Sequence, residues 1–236
     1  IDMSGTYLLS EDLNVGTWTP LGLGTSTPFT GTFDGNDKKI TYSIPSSSNS
    51  GGLFYQNGTG GEIKNLRVAG SVTSSAVSVG GITGTNYGKI SCCTSSVNVA
   101  GYQYAGGIAG LSETGTISQC VSTGNVSGFE HIGGIVGINK ANIDRCYSSG
   151  TISGTGNCIG GIIGEWQGGS VDQCYSTATV SGTYPGGIIG TVAVSTGLSC
   201  TNSYARGKVS GTYAGGFIGY RYGGGATFTN CYATGT

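Results

Sequence analysis

The sequence predicts an all-β protein, a single right-handed parallel β-helix of about seven regular coils preceded by one or two atypical ones. Three observations lead there. A Gly-Gly-apolar unit begins at Gly51, Gly80, Gly106, Gly133, Gly160, Gly186 and Gly215, at intervals of 26 to 29 residues. Further apolar columns keep step with it. No window places apolar residues at i, i+3, i+4 and i+7 among good helix formers.

The glycine unit carries Leu53, Ile82, Ile108, Ile135, Ile162, Ile188 and Phe217 in its third column. A second column holds Ile63, Ile90, Ile117, Ile143, Val171, Cys200 and Phe228, and a third Leu66, Cys93, Cys120, Cys146, Cys174, Ser203 and Cys231. Val72, Val99, Val126, Ile152, Val180 and Val209 form a fourth. Leucine-rich repeats share this period but need Leu-rich strands and a helical turn in each unit, and a propeller blade is longer. Ser, Thr, Val, Ile and Gly favour short strands and tight turns. Coils stacked about 4.8 Å apart turn such columns into ladders, and strand–crossover–strand connections are overwhelmingly right-handed. Seven coils give a rod on the order of 34 Å long. Glycine is expected at the tight corners.

Residues 1–50 lack the unit and read as atypical N-terminal coils that cap the same core, while 51–236 are the repeat coils. The whole reads as one domain, opening mid-domain as a fragment of a longer protein.

Of 236 residues, 48 are Gly and 9 % are charged, and ten Lys and Arg stand against eleven Asp and Glu. No basic stripe of the kind that pairs with phosphates is present, which excludes nucleic acid as a partner. No apolar run approaches the ~20 residues of a membrane span, which excludes membrane insertion by this segment. A broken set of Thr columns and an uneven coil length argue against an ice-binding face.

The units Gly-Gly-Ile-Val-Gly-Ile-Asn at 133–139 and Cys-Tyr-Ser-Ser-Gly-Thr-Ile-Ser-Gly at 146–154 resemble the GLUG-type repeat of bacterial and archaeal surface proteins. Pro28 to Gly35, Gly-Leu-Phe at 52–54 and Ile63-Lys64-Asn65-Leu66 resemble the lead-in that often precedes such repeats. The resemblance implies an extracellular or cell-surface location and an adhesin-like role. It also implies kinship with accessory regions of proteins similar to IgA-cleaving peptidases, and it transfers no catalytic residue.

Five of the eight cysteines share the inward third column and Cys200 the second, so buried free thiols are expected, with parallel Cβ vectors unsuited to disulfides. Cys92 and Cys158 fall elsewhere and are expected to be the reactive pair. Cys92 and Cys93 are expected on opposite faces of a strand, which argues against zinc, and no cofactor or metal is assigned. The one histidine, His131, stands in the column Ser78, Tyr104, His131, Cys158, Tyr184, Tyr213 and reads as a surface strand end without an adjacent nucleophile and carboxylate. Asp34-Gly35-Asn36-Asp37 has oxygens for calcium but reads as a turn.

Two constellations invite function. Asp144 and Asp172 stand in adjacent coils about 4.8 Å apart, a separation resembling a retaining glycosidase pair. Tyr147, Tyr175, Tyr204 and Tyr232 follow the inward column and should point out. Tyr184 and Tyr213, with Tyr104, form a second stripe, and Trp166 replaces an Asn found at Asn57, Asn86 and Asn139. Exposed aromatics on a rigid scaffold suit stacking on sugars or on a protein. The preferred reading is a non-enzymatic surface module, a rigid stalk binding a glycan or a host or neighbour-cell protein, with end-to-end self-association also open. The alternative is a carbohydrate-active enzyme using Asp144 and Asp172.

Overall fold

The structure is a computed structural model that describes residues 1–24, 27–193, 197–222 and 225–235. Among them are only strands and turns, arranged as a parallel β-solenoid. Each coil visits four faces. The first is a nine-stranded sheet running from Thr6–Leu8 and Thr32–Asp34 through Glu62–Lys64 and Lys89–Ser91 to Ala226–Thr229. The second is a thirteen-stranded sheet that includes Lys39–Ser47, Arg67–Ser74, Thr94–Ala100 and the shorter pairs stacked on them. A five-stranded third face contains Ser78–Gly80 and Ile132–Gly133, and a seven-stranded fourth face contains Phe54–Asn57 and Ile163–Trp166.

The columns read from the sequence are the ladders of the fold. Ile63 pairs with Ile90, Ile90 with Ile117, Ile117 with Ile143 and Ile143 with Val171. On the second face Val72, Val99, Val126, Ile152, Val180 and Val209 stand in one register. These side chains fill one continuous core, reached at the N-terminal end by Phe29, Phe33, Ile40 and Tyr42. The buried Tyr42 hydroxyl donates to the Gly81 carbonyl at 2.6 Å, so its polar atom is satisfied.

The Gly-Gly pairs act differently from the expectation. Apart from Gly51, with φ of 138°, none of them has the positive φ of a left-handed corner. They allow close approach. A Cβ on Gly134 would lie 2.0 Å from the Gly161 carbonyl oxygen and 2.7 Å from Ser148 Cβ. Opposite this glycine column stand Ser95, Ser122, Ser148 and Ser176, all fully buried. The second face therefore packs through small side chains onto bare backbone, and the solenoid is thin there.

The sharp corner between first and second faces is made by non-glycine residues. Asn65, Cys92, Gln119, Arg145, Gln173, Asn202 and Asn230 all have φ between 50° and 54°. One left-handed residue reverses the chain direction while the next side chain enters the core. Asn tolerates this conformation best; the others are held by the coil hydrogen bonds on either side, such as Cys92 N–H to Ser118 O at 3.1 Å. Cys92 thus sits on a corner, not on a strand opposite Cys93. Asn36 and Asp37 also have positive φ, and Asp34 Oδ1 accepts the Asn36 N–H at 2.9 Å, a local turn.

The column thiols are buried and each donates back to a carbonyl two residues earlier, Cys93 to Ser91 and Cys120 to Ser118, both at 3.2 Å. Burial pushes the Cys120 and Cys174 thiols well above their ordinary value. Cys158, expected to be reactive, is only 7 % exposed, whereas Cys92 is exposed and Cys231 half-buried. Native titration with Ellman's reagent should therefore label Cys92 fast and Cys231 more slowly, and the other six only after unfolding. Fast labelling of Cys93, Cys120, Cys146 or Cys174 would contradict the inward ladder.

Candidate functional site

Tyr147, Tyr175, Tyr204 and Tyr232 pair directly across four successive coils of the second face. Each follows a core cysteine or serine, so alternation turns it outward. Their rings stack with centroids 4.4, 5.1 and 5.2 Å apart and planes within 25°, 12° and 7°. Ring faces are therefore used against one another, and the ladder presents edges and hydroxyls to solvent. Arg206 lies 5.0 Å over the Tyr204 ring, and Tyr232 is 45 % exposed. Tyr147 Oη is hydrogen-bonded to Thr177 Oγ1 at 2.8 Å.

The second stripe is larger than the sequence suggested. Tyr184 stacks on Tyr213 at 4.9 Å and meets Tyr220 at 5.0 Å, which in turn touches Tyr222 at 4.7 Å. Tyr213, Tyr220 and Tyr222 are all exposed. Tyr220 belongs to the fourth face, where its register partner is Thr191, so the cluster wraps the corner between two faces. A further stack, Tyr102 on Phe129 at 5.9 Å, lies exposed on a turn and was not anticipated.

Trp166 does not join these surfaces. It is fully buried, pairs with Asn139 and Val192 on the fourth face, and donates its Nε1–H to Gly168 O at 2.8 Å. Its column position was read correctly, but that column points inward. Asn57 and Asn86 are buried there too, linked Nδ2 to Oδ1 at 2.8 Å. Trp166 replaces an internal amide ladder with an indole that meets Phe228 edge-on at 6.3 Å.

Asp144 and Asp172 pair in register as expected. Neither carboxylate stands free of partners. Arg145 holds Asp144 through Nη2 at 2.6 Å and Nε at 2.7 Å. Asp172 accepts from Thr201, from Gln173 at 2.9 Å and from Asn202 at 3.0 Å. These hydrogen bonds hold its carboxyl below the usual carboxylate range.

One constellation escaped the sequence reading. His131 is not an isolated surface residue: its Nδ1 lies 2.8 Å from Glu165 Oε2, and Cys158 Sγ lies 3.7 Å from the same oxygen. His131 and Cys158 occupy neighbouring coils through the pairing of Ile132 with Ile159. Glu165 reaches them from the adjoining fourth face. Burial works to lower the imidazole pKa, but Cys158 and Glu165 outweigh it and hold it up at about 10. Tyr104 packs edge-on against the His131 ring at 5.3 Å, so the cluster lies between Tyr104 and the Tyr184 group along one corner. The signal was present in the shared column of His131 and Cys158; the inward turn of both side chains was not.

Four parallel faces with a repeating coil and an outward aromatic ladder define a repeat-built β-solenoid. The comparisons name the repeat. The GLUG motif matches residues 101–127, 130–153 and 155–181, three successive coils of the solenoid. Halomucin of Haloquadratum walsbyi is 34 % identical over 120 residues, covering 46 % of this chain and 1 % of halomucin. The chain thus spans a very small part of that relative. A crystal structure of a candidate immunoglobulin A1 protease from Bacteroides ovatus superposes with a TM-score of 0.63 at 22 % identity, over 97 % of this chain and 68 % of that one. That likeness is one of fold.

Proposed function

We propose that this chain is an extracellular or cell-surface module, a rigid spacer whose tyrosine surfaces engage a glycan or a protein on another surface. The carrying observation is the register of Tyr147, Tyr175, Tyr204 and Tyr232, which lines up four hydroxyls and ring edges along a stiff rod. Contact through edges and hydroxyls suits polar, hydrogen-bonding ligands, while the Tyr184, Tyr213, Tyr220 and Tyr222 corner offers ring faces. The partial match to halomucin supports a surface location. The alternative, sugar cleavage at Asp144 and Asp172, has register in its favour; the hydrogen bonds holding Asp172 ionised work against a general acid there.

The test is Tyr147→Ala, Tyr175→Ala and Tyr204→Ala combined, measured on a glycan array and in cell attachment beside thermal melting. Each lost contact is worth around 0.5 to 1.5 kcal/mol, so binding should weaken at least about tenfold. Melting temperature lost with attachment unaltered would leave the ladder as scaffold and overturn the proposal.

A further inference from the structure

We infer that His131, Cys158 and Glu165 form a binding site for a thiophilic divalent cation, zinc being the best fit, with one coordination position left open. The ligand atoms, one from each residue, all lie within 4.8 Å of one another. Zinc bonds of about 2.0 Å to nitrogen and oxygen and 2.3 Å to sulfur imply ligand–ligand distances of roughly 3.3 to 3.6 Å. The observed 2.8 Å from Nδ1 to Oε2 and 3.7 Å from Sγ to Oε2 bracket that range. Small side-chain rotations would close a tetrahedral face.

The orientation of the groups points the same way. His131 Nδ1 is buried, and the groups it faces are Glu165 Oε2 at 2.8 Å and the Cys158 thiol, the two other ligands. The second carboxylate oxygen of Glu165 is already occupied: Oε1 accepts from Gln167 Nε2 at 2.6 Å, which leaves Oε2 facing His131 and Cys158. Outer partners of this kind orient metal-bound side chains.

The backbone supports the assignment. His131 and Cys158 have φ of 52° and 62°, while Ser78, Tyr104, Tyr184 and Tyr213 of the same column do not enter the left-handed region. Strain appears only where the column supplies a ligand. The His131 and Glu165 side chains are 18 % and 13 % exposed, which leaves an entry path and room for a water or a partner's group. One nitrogen, one thiolate and one carboxylate favour zinc over calcium or magnesium, which prefer all-oxygen sets. Binding needs the thiolate and neutral imidazole, so the displaced protons pass to solvent and affinity falls with pH.

The test is a titration of the reduced, chelator-treated chain with zinc, then with cobalt as a spectroscopic stand-in. One equivalent should bind, and cobalt should give a thiolate-to-metal charge-transfer band that Cys158→Ser abolishes and Cys92→Ser leaves intact. Gln167→Ala, which removes the outer partner of Glu165, should weaken binding by about 10- to 100-fold. In the unmutated chain zinc should raise the melting temperature, because it binds the folded state, a readout independent of variant folding. No stoichiometric uptake, a charge-transfer band lost with Cys92→Ser, or a melting temperature unmoved by zinc would each overturn the site.

Discussion

Gly134→Ala should lower the denaturation midpoint more than any conservative surface change, by the equivalent of at least about 1 to 3 kcal/mol. The added methyl would sit 2.0 Å from the Gly161 carbonyl oxygen. That obstacle is backbone, held by hydrogen bonds to the next coil, and cannot rotate away as a side chain could. Relief requires neighbouring coils to part, which loosens the ladders on every face. Gly60→Ala is the matched control. Its φ of +85° is strained for alanine, but nothing lies within 4 Å of the new Cβ. It should cost about 1 to 2 kcal/mol from conformation alone. A change within about 0.5 kcal/mol for Gly134→Ala would show that close approach is not what the Gly-Gly column provides.

Trp166→Ala should be as damaging for the opposite reason. Removing a fully buried indole leaves a cavity lined by Val192 and Phe228 in the thin interior. Large aromatic truncations cost about 3 to 5 kcal/mol. For a chain of this size that is a fall in melting temperature of roughly 6 to 20 °C. Trp166→Phe keeps most of the volume but leaves the Gly168 carbonyl without the indole N–H, a loss of about 1 kcal/mol. A change within about 0.5 kcal/mol for Trp166→Ala would place the side chain at the surface instead.

The contrast between Trp166 and the tyrosine ladder shows what a repeat reveals before its structure is known. Period alone assigned Tyr147, Tyr175, Tyr204 and Tyr232 to one column, and alternation after a core cysteine sent them outward. That rule holds within a strand. At Trp166 it gives no answer, because Ile163 and Trp166, three residues apart at the two ends of a four-residue strand, are both buried and strict alternation does not hold. The same limit hid the His131 cluster. A left-handed residue rotates its side chain away from the direction alternation predicts; Cys158 is not a type that signals such a backbone, and histidine, though enriched there, adopts it too rarely for His131 to announce it. Glu165 pairs with Ile138 on another face, so its approach depends on how sharply two faces meet.

The coil-to-coil hydrogen bonds run along the rod, as in Tyr147 N–H to Cys120 O at 2.9 Å and Tyr175 N–H to Cys146 O at 3.0 Å. A pull applied through the two chain ends would load these bonds in tension, beginning with the outermost coil, instead of shearing a whole sheet at once. Each detached coil would release roughly 90 Å of slack, since about 27 residues extend at 3.3 to 3.6 Å each. A surface tether made this way yields in steps, lengthening by one coil while the coils behind it keep their register and their exposed tyrosines.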